Sequence, residues 1–283
     1  MAIKKVFVIG AGTMGNGIAQ VSAQAGYDVT MSDIKDEFIK KGMAAIDNSL
    51  GRLVKKGTMQ ESEKAAILSR IKTTTENKDA KDADMVIEAA PEILDLKKNI
   101  FKQLDEICRT DAILATNTSS LPIGEIAAVT KTPARVIGIH FMNPVPVMKG
   151  VEVIPARQTS PAILEAAKEY IRKIGKEPCE ARDYAGFIVS RLVDALMNEA
   201  FWCVMDGNKP EEVDKAIKLC LNHPMGPLEL CDLAGADVVM HGLETMYAEF
   251  GERLMPAPLL KNMVRSGDLG RKTGRGFYDY TKK

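Results

Sequence analysis

The chain lacks an excess of charge of either sign. Its 283 residues include 38 Lys and Arg and 38 Asp and Glu, so the formal net charge is zero. A protein that binds nucleic acid through a basic face needs a positive excess, and we therefore expect no nucleic-acid partner. Charged residues make up 27% and hydrophobic residues 46% of the sequence. This mixture is typical of a folded globular protein and argues against disorder.

Paired cysteines and long apolar segments are also missing. The five cysteines are odd in number and form no C-x-x-C pair, so we expect neither a disulfide framework nor a zinc or other metal site. No apolar run approaches the ~18 residues of a membrane span. The run that follows Lys5 is too short for a signal peptide. These absences predict a cytoplasmic protein with no membrane partner.

Segments with strand character alternate with helical segments through the first half of the chain. Seven strands are predicted, at residues 3–9, 28–32, 71–74, 85–89, 113–116, 136–140 and 151–154. Such alternation is typical of βαβ units and a mostly parallel sheet. Residues 36–70 interrupt it with a lysine-rich helical pattern around a central turn, which predicts a helical hairpin inserted between two strands.

Strand signals end after residue 154. One further helix is predicted at about 161–174, and from Gly186 onward the patterns are almost wholly helical, with wide apolar stripes. We therefore expect an α/β domain at 1–185 and a smaller all-α domain at 186–283. Wide apolar stripes in so small a domain favour burial against a partner subunit, which predicts a homodimer formed through the helical domain.

A glycine-rich loop, "GAGTMG", joins the first strand to the first helix. Its three glycines form the G-x-G-x-x-G pattern, which allows a tight turn, close approach of a pyrophosphate and close packing of helix on strand. Exposed N–H groups at the start of a helix favour phosphate. The candidate cofactor-binding residues of the loop are Gly10, Ala11, Gly12, Thr13, Met14 and Gly15.

An acidic residue follows the second strand at the usual distance from the loop. Asp33 lies where a carboxylate binds the ribose hydroxyls of a dinucleotide. Together with the glycine loop it predicts a Rossmann-type NAD-binding domain. Because its carboxylate would repel a 2′-phosphate, NAD (or NADH) is the favoured cofactor and NADP the less favoured one.

One of only three histidines closes an apolar strand. His140 follows "VIGI", and Glu152 lies in the next apolar run. Asn117 and Ser119 fall in "TNTSS", directly after the strand predicted at 113–116. The carboxyl ends of the strands form the ligand-binding edge of a doubly wound sheet. We therefore expect Asn117, Ser119 and His140 at this edge.

Seven segments, spread from residue 10 to residue 280, match one known family in its order. They are "GAGTMGNGIA", "DI", "VIEAAPE", "ATNTSSL", "HFMNPVPVMKGVEVI", "NHPMGPLELCDLAG" and "GRKTGRGFYDY". In these segments the chain resembles the L-3-hydroxyacyl-CoA dehydrogenases, particularly the short bacterial 3-hydroxybutyryl-CoA dehydrogenases. The resemblance implies reversible NAD-linked oxidation of an (S)-3-hydroxyacyl-CoA, expected to be 3-hydroxybutyryl-CoA, to a 3-ketoacyl-CoA such as acetoacetyl-CoA.

The resemblance also implies roles for individual residues. His140 would be the general base or acid and Glu152 its charge-balancing partner, since a neutral imidazole suits proton transfer near neutral pH. Ser119 would hold the substrate oxygen and approach the nicotinamide ribose. The remaining implied cofactor contacts are Glu92, Lys97, Asn117, Asn143 and Lys272.

Two positions of the hairpin resemble residues that hold the phosphate-rich part of CoA. Ser49 and Lys56 are seven residues apart, so both lie on one face of a helix. The lysine-rich hairpin would give a protein without net charge a local site for a polyanionic thioester.

One family pattern is altered in this chain. Pro-Gly-Phe-[IV]-x-Asn-Arg appears as "AGFIVSR", with Ala185 in place of Pro and Ser190 in place of Asn. In the family that Asn bonds near the thioester and the reacting oxygen. Serine keeps a hydroxyl donor but is shorter, and one lost donor at developing charge costs on the order of 10²–10³ in rate. Ser190 is retained as a candidate catalytic residue.

Two other hypotheses stay open. A β-hydroxyacid dehydrogenase of the 6-phosphogluconate type shares the Rossmann half and a helical second domain, but it uses a catalytic lysine where this chain offers His140 and Glu152. A non-enzymatic NAD-binding sensor or structural protein is favoured only by Ser190.

Overall fold

The computed structural model describes residues 3–281, which form two compact units. Among the described residues, the first unit comprises 3–118 and 122–183, and the second comprises 119–121 and 184–281. Residues 1, 2, 282 and 283, which the predicted domains include, lie outside the described part. None of the helices in residues 3–281 combines the length and the apolar character needed to cross a membrane.

An eight-stranded sheet forms the centre of the first unit. Its strands are β1 (Lys5–Ile9), β2 (Asp28–Ser32), β3 (Ile71–Thr74), β4 (Met85–Glu88), β5 (Ile113–Thr116), β6 (Val136–Phe141), β7 (Gly150–Pro155) and β8 (Glu177–Glu180). The order across the sheet is β3-β2-β1-β4-β5-β6-β7-β8, and only β6 and β7 pair antiparallel. All residues of β4, β5 and β6 are buried, as expected for strands covered on both faces. The predicted mostly parallel, Rossmann-type sheet is confirmed.

Six helices accompany the sheet. They are α1 (Thr13–Gln24), α2 (Asp36–Lys55), α3 (Glu61–Ser69), α4 (Leu94–Ile107), α5 (Ile123–Ala127) and α6 (Pro161–Lys173). The predicted hairpin between β2 and β3 is confirmed, since α2 and α3 occupy it. A capping box begins α3, in which the Glu63 carboxylate accepts the Gln60 N–H at 2.8 Å.

The expectation that strands end after residue 154 is wrong. β8, with the sequence EPCE, pairs in parallel with β7 at the edge of the sheet. Three of its four side chains are exposed, so the strand carries no apolar signal. Proline cannot donate to a ladder but is tolerated at an edge, and backbone hydrogen bonds to β7 hold the segment. The short helix α5 lies between two predicted strands, where a helical segment is expected but no bounds are predicted.

The order in which successive strands are added to the sheet reverses between β1 and β4. The first three strands add outward from β1 on one side, and β4 returns to pair with the other side of β1. This is a topological switch point, at which the carboxyl ends of the two strands separate and leave a crevice for a ligand.

The second unit is helical, as predicted. Its helices are α7 (Val189–Met205), α8 (Pro210–Cys220), α9 (Pro227–Ala234), α10 (Ala236–Phe250) and α11 (Pro258–Ser266). Its core is formed by buried apolar side chains that include Phe201, Leu228, Leu243, Met246 and Leu260.

Two buried aspartates hold the chain after α11 against these helices. The Asp214 carboxylate accepts the N–H groups of Leu228 and Glu229 at the start of α9, and also the Tyr278 hydroxyl at 2.7 Å. Asp232 accepts the N–H groups of Tyr278 and of the residue before it, at 3.0 and 2.9 Å. Both carboxylates are 1% exposed. The segment around residue 278 is therefore part of the helical core.

A third buried carboxyl group, on α7, has a different environment. Asp194 Oδ2 lies 2.5 Å from the position that a Cβ would take at Gly242 on α10. No donor within residues 3–281 and no cation offsets its desolvation, and burial alone raises the pKa of Asp194 to about 7.

We expect Asp194→Asn to flatten the pH dependence of the free energy of unfolding. The folded protein keeps this carboxyl protonated up to about pH 7, whereas the unfolded chain ionises it above pH ~4. Ionisation of Asp194 therefore does not affect the free energy of unfolding below pH ~4. As the pH rises from there toward 7, the free energy of unfolding falls by roughly 4 kcal/mol. Urea unfolding should be measured at pH 4.5 and pH 8. The free energy of unfolding of the variant, relative to that of the parent, should be higher at pH 8 than at pH 4.5. An equal difference at both pH values would contradict this.

Candidate active site

A cavity of about 1030 Å³ opens at the carboxyl ends of β1 and β4. Its walls are the glycine loop, Asp33 after β2, Ala89 and Ala90 after β4, and one face of α4. The predicted cofactor-binding residues that line it are Gly10, Ala11, Gly12, Thr13, Met14 and Asp33. The cavity thus lies at the switch point of the sheet, where the sequence predicts a dinucleotide.

The three glycines of the loop meet different constraints. At Gly10, where φ is 100°, a Cβ would lie 2.6 Å from the Ala89 carbonyl oxygen, and at Gly15 it would lie 1.8 Å from the Gly10 carbonyl oxygen. At Gly12 a Cβ would meet nothing within 4 Å. No side chain caps the helix that begins after Gly12. Gly10 and Gly15 therefore shape the loop, while Gly12 leaves space for an anion at the start of α1.

Asp33 is connected to the same loop. Its Oδ2 accepts the Ala11 N–H at 2.8 Å, and its Oδ1 accepts the Ile34 N–H at 2.7 Å. The carboxylate therefore fixes the loop as well as adding negative charge to the cavity wall. Two cationic side chains, those of Lys41 and Lys78, line the same cavity.

His140 and Glu152 stand directly opposite each other on β6 and β7. Nδ1 of His140 lies 2.8 Å from Oε2 of Glu152, and the two residues are 6% and 1% exposed. A carboxylate can only accept, so Nδ1 carries the hydrogen and Nε2 of the neutral ring has the lone pair. This arrangement can accept a proton at Nε2 and stabilise the resulting imidazolium.

Asn117 connects the ends of three strands. Its Oδ1 accepts the N–H of Phe141, the residue after His140, at 2.9 Å, and its own N–H donates to the Glu88 carbonyl at 2.7 Å. The side chain is 8% exposed. The predicted cofactor contact therefore also holds β6 beside β5 next to the histidine.

Glu88, at the end of β4, was not predicted from the sequence. It is fully buried and accepts from Lys97 Nζ at 2.7 Å, from the Ala90 N–H at 2.7 Å and from the Thr116 hydroxyl at 2.6 Å. Lys97 is equally buried and also lies 3.4 Å from Glu92. This ion pair fixes the turn that forms one wall of the cavity. The only sequence signal was an acid ending the apolar strand "MVIE".

The other predicted positions of the first unit lie away from the cavity wall. Asn143 is exposed in the loop between β6 and β7. Ser49 is half buried on α2, and Lys56 is exposed at the C-terminal cap of this helix. None of these three residues lines the cavity. The same holds for the other predicted residues of this unit that are not among its lining: Gly15, Glu92, Lys97, Asn117, His140 and Glu152.

Three predicted site residues belong to the second unit. Ser119 is exposed in the short segment 119–121, and Ser190 is half buried in the first turn of α7. Lys272 forms an ion pair with Asp237 at the start of α10. Within residues 3–281, no group of three His, Cys, Asp or Glu side chains is arranged to hold a metal ion.

Two family models match consecutive parts of the chain. Residues 5–184 match the NAD-binding domain of 3-hydroxyacyl-CoA dehydrogenase, and residues 186–280 match the C-terminal domain of 3-hydroxyacyl-CoA dehydrogenase.

Several relatives are similar to this chain over their whole length. A 3-hydroxybutyryl-CoA dehydrogenase from Clostridioides difficile is 49% identical over 280 residues, which cover 98% of this chain and all of the relative. The crystal structure of (S)-3-hydroxybutyryl-CoA dehydrogenase from Ralstonia eutropha superposes with a TM-score of 0.95 at 47% identity, covering 99% of this chain and all of the other. FadB2 from M. tuberculosis gives 0.97 at 42% identity, with the same coverage.

We expect Gly12→Ala to fold like the parent but to bind NADH at least ~10-fold more weakly. The backbone at Gly12 (φ −65°) accommodates alanine, and the added methyl group would occupy the space beside the start of α1 that the phosphates need. NADH fluorescence titration and thermal unfolding measure the two effects. In the matched variant Gly15→Ala, the clash with the Gly10 carbonyl should instead lower the melting temperature. A parent-like NADH affinity in Gly12→Ala would contradict the assignment.

Proposed function

The chain belongs to the 3-hydroxyacyl-CoA dehydrogenase family, and we propose that it oxidises the 3-hydroxyl group of (S)-3-hydroxybutyryl-CoA reversibly, giving acetoacetyl-CoA. It is an NAD-dependent dehydrogenase. The observation that carries the proposed chemistry is the buried His140–Glu152 pair, whose nitrogen and oxygen lie 2.8 Å apart on adjacent strands.

His140 is the proposed general base. NAD, when bound, accepts the hydride from C3 of the substrate. As the C–H bond breaks, the hydroxyl proton passes to Nε2 of His140, and the single bond between C3 and oxygen becomes the double bond of the ketone. Glu152 holds the Nδ1 hydrogen and balances the charge of the imidazolium. In the reverse direction the protonated ring returns the proton to the substrate oxygen.

Ser119 and Ser190 are the proposed partners of the substrate. A serine hydroxyl can donate a hydrogen bond to the reacting oxygen or the thioester, and the resemblance of "TNTSS" supports Ser119 in this role. Ser190 replaces the family's asparagine. Glu92, Lys97, Asn117, Asn143 and Lys272 are the further proposed cofactor contacts.

The helical hairpin is the proposed site for the nucleotide part of CoA, with Ser49 and Lys56 as contacts. Arg52 and Lys55 lie in the last turn of α2, and Lys56 caps it. Three cations within five residues give a protein with no net charge a local surface that attracts a polyanion.

The second domain is the proposed dimerisation surface, with domains divided at 1–185 and 186–283. Nine of the fourteen large apolar side chains that are exposed in the described residues belong to this smaller part, among them Leu192, Leu219 and Val238. Exposed apolar surface of this kind supports burial against a second copy.

A cytoplasmic location is also proposed. All five cysteines are free, which is the usual state of thiols in a reducing compartment.

NAD rather than NADP is the proposed physiological cofactor. The Asp33 carboxylate lines the cavity and would repel a 2′-phosphate, while Lys41 and Lys78 would attract it. Since Asp33 is also bonded to the loop through the Ala11 N–H, its charge has a fixed position beside the glycines.

Asp33→Asn should raise the kcat/KM for NADPH relative to NADH by about 10-fold, the scale of one close like-charge repulsion. The amide oxygen can still accept the Ala11 N–H, so the loop should keep its shape. Steady-state rates with both cofactors provide the measurement. Asp36→Asn, at an exposed acid in the first turn of α2, is the matched control and should leave the ratio unchanged. An unaltered ratio in Asp33→Asn would refute this basis for NAD preference.

The proposed chemistry is tested by NADH consumption on addition of acetoacetyl-CoA. His140→Gln should lower kcat by about 10²- to 10⁴-fold because the general acid is lost, while NADH affinity stays within about 2-fold. His241→Gln, at an exposed histidine of α10, controls for loss of an imidazole. A parent protein that binds NADH but does not turn over would support the sensor hypothesis instead. Equal rates in parent and His140→Gln would remove His140 from the mechanism.

A further inference from the structure

Lys176 is a buried lysine without a neutralising carboxylate in the described part of the chain. It is 6% exposed, and its Nζ donates to the Val145 carbonyl at 2.6 Å and the Met148 carbonyl at 2.5 Å. Burial alone lowers the pKa of Lys176. Burying an ammonium group without a counter-charge costs free energy. Hydrogen bonds to the two carbonyl groups offset part of this cost.

The backbone of Lys176 is fixed on both sides. α6 ends at Lys173, φ is 77° at Gly175 just beyond the cap, and the Lys176 N–H donates back to the Ile171 carbonyl at 3.1 Å. This is a Schellman-type helix end. The next residue, Glu177, donates its N–H to the Lys149 carbonyl and begins β8. The side chain of Lys176 therefore starts from a rigid point.

The two carbonyl groups belong to the loop 142–149, which joins the strand of His140 to the strand of Glu152. Most of this loop is not held by buried apolar side chains, since Val147 is 71% and Met148 is 40% exposed. Val145, at 2% exposure, is the exception.

Val145 packs the loop against α1, the helix that begins at the glycine loop. A Cβ at Gly17 of α1 would lie 2.7 Å from Val145 Cβ, so loop and helix are in close contact at this point. The loop is thus held from one side by α1 and from the other by Lys176.

We propose that Lys176 is a positioning residue of the dehydrogenase. Its ammonium group holds the loop 142–149 on α1, the helix that begins at the glycine loop. It thereby fixes Asn143 relative to the strands that carry His140 and Glu152. The role rests on the proposed function, in which His140 and the cofactor act on one substrate carbon. A displacement of about 1 Å between such groups costs up to ~10²-fold in rate.

The test compares Lys176→Met with Lys176→Arg and Lys173→Met. Methionine keeps the apolar stem and removes the donors, so kcat with NADH and acetoacetyl-CoA should fall about 10- to 100-fold, with KM for acetoacetyl-CoA within about 2-fold. Arginine restores a cationic donor and should recover most of kcat. Lys173 is an exposed lysine on α6 that contacts the Tyr27 ring, so Lys173→Met should behave like the parent.

A second variant covers the case in which Lys176→Met does not fold. Gly17→Ala presses on Val145 from the side of α1 and leaves Lys176 intact, so the same selective fall in kcat is expected. Parent-like kcat in a folded Lys176→Met with a lowered melting temperature would overturn the proposal, because Lys176 would then only stabilise the fold.

Hydrogen exchange separates this inference from the proposed function. Amides of residues 142–149 should exchange faster in Lys176→Met than in the parent and in Lys173→Met, whether or not the protein turns over. Unchanged exchange in the loop would overturn the positioning role. Absence of turnover in the parent would instead reject the proposed function.

Discussion

The antiparallel pairing of β6 and β7 is the constraint on which the site depends. A parallel neighbour would require a crossover of a dozen residues or more, whereas the reversal here is completed by the loop 142–149. Residues that face each other across an antiparallel pair project to the same side of the sheet. His140 and Glu152 therefore meet through backbone register alone, and both lie on strands that are paired on both sides within the sheet.

Side chains at the edge of the sheet share one structural task. Asp33 accepts an N–H of the glycine loop, Glu88 accepts one from the turn after β4, and Asn117 accepts one from β6. Lys176 is a donor instead of an acceptor, and its ammonium group donates to two carbonyl groups of the loop after β6. These four polar side chains thus bond backbone groups around the cavity and the histidine, as buried backbone groups require. Two of the four follow directly after a strand, Glu88 is the last residue of β4, and Lys176 directly precedes β8.

The sequence predicts the parts of this structure that depend on local pattern. The glycine loop, Asp33, the hairpin and seven strands follow from periodicity and spacing, and His140 and Glu152 are recognisable because charged groups are rare in apolar runs. Glu88 and Lys176 are also buried, but their partners are backbone groups and the side chains of Lys97 and Thr116, which only the fold brings near. β8 was missed because a polar edge strand is defined by its neighbour's hydrogen bonds and not by its own composition.

The anchoring of residue 278 by Asp214 and Asp232 has a consequence for synthesis on the ribosome. All residues of the first unit precede residue 184, so this part can fold while the helices are still being translated. The second unit cannot complete its core until residue 278 has left the exit tunnel, because Asp232 lacks both of its N–H donors and Asp214 lacks the Tyr278 hydroxyl until then. During that interval the apolar core of α7 to α11 lacks the side chains of Phe277 and Tyr278, which pack against it in the folded protein.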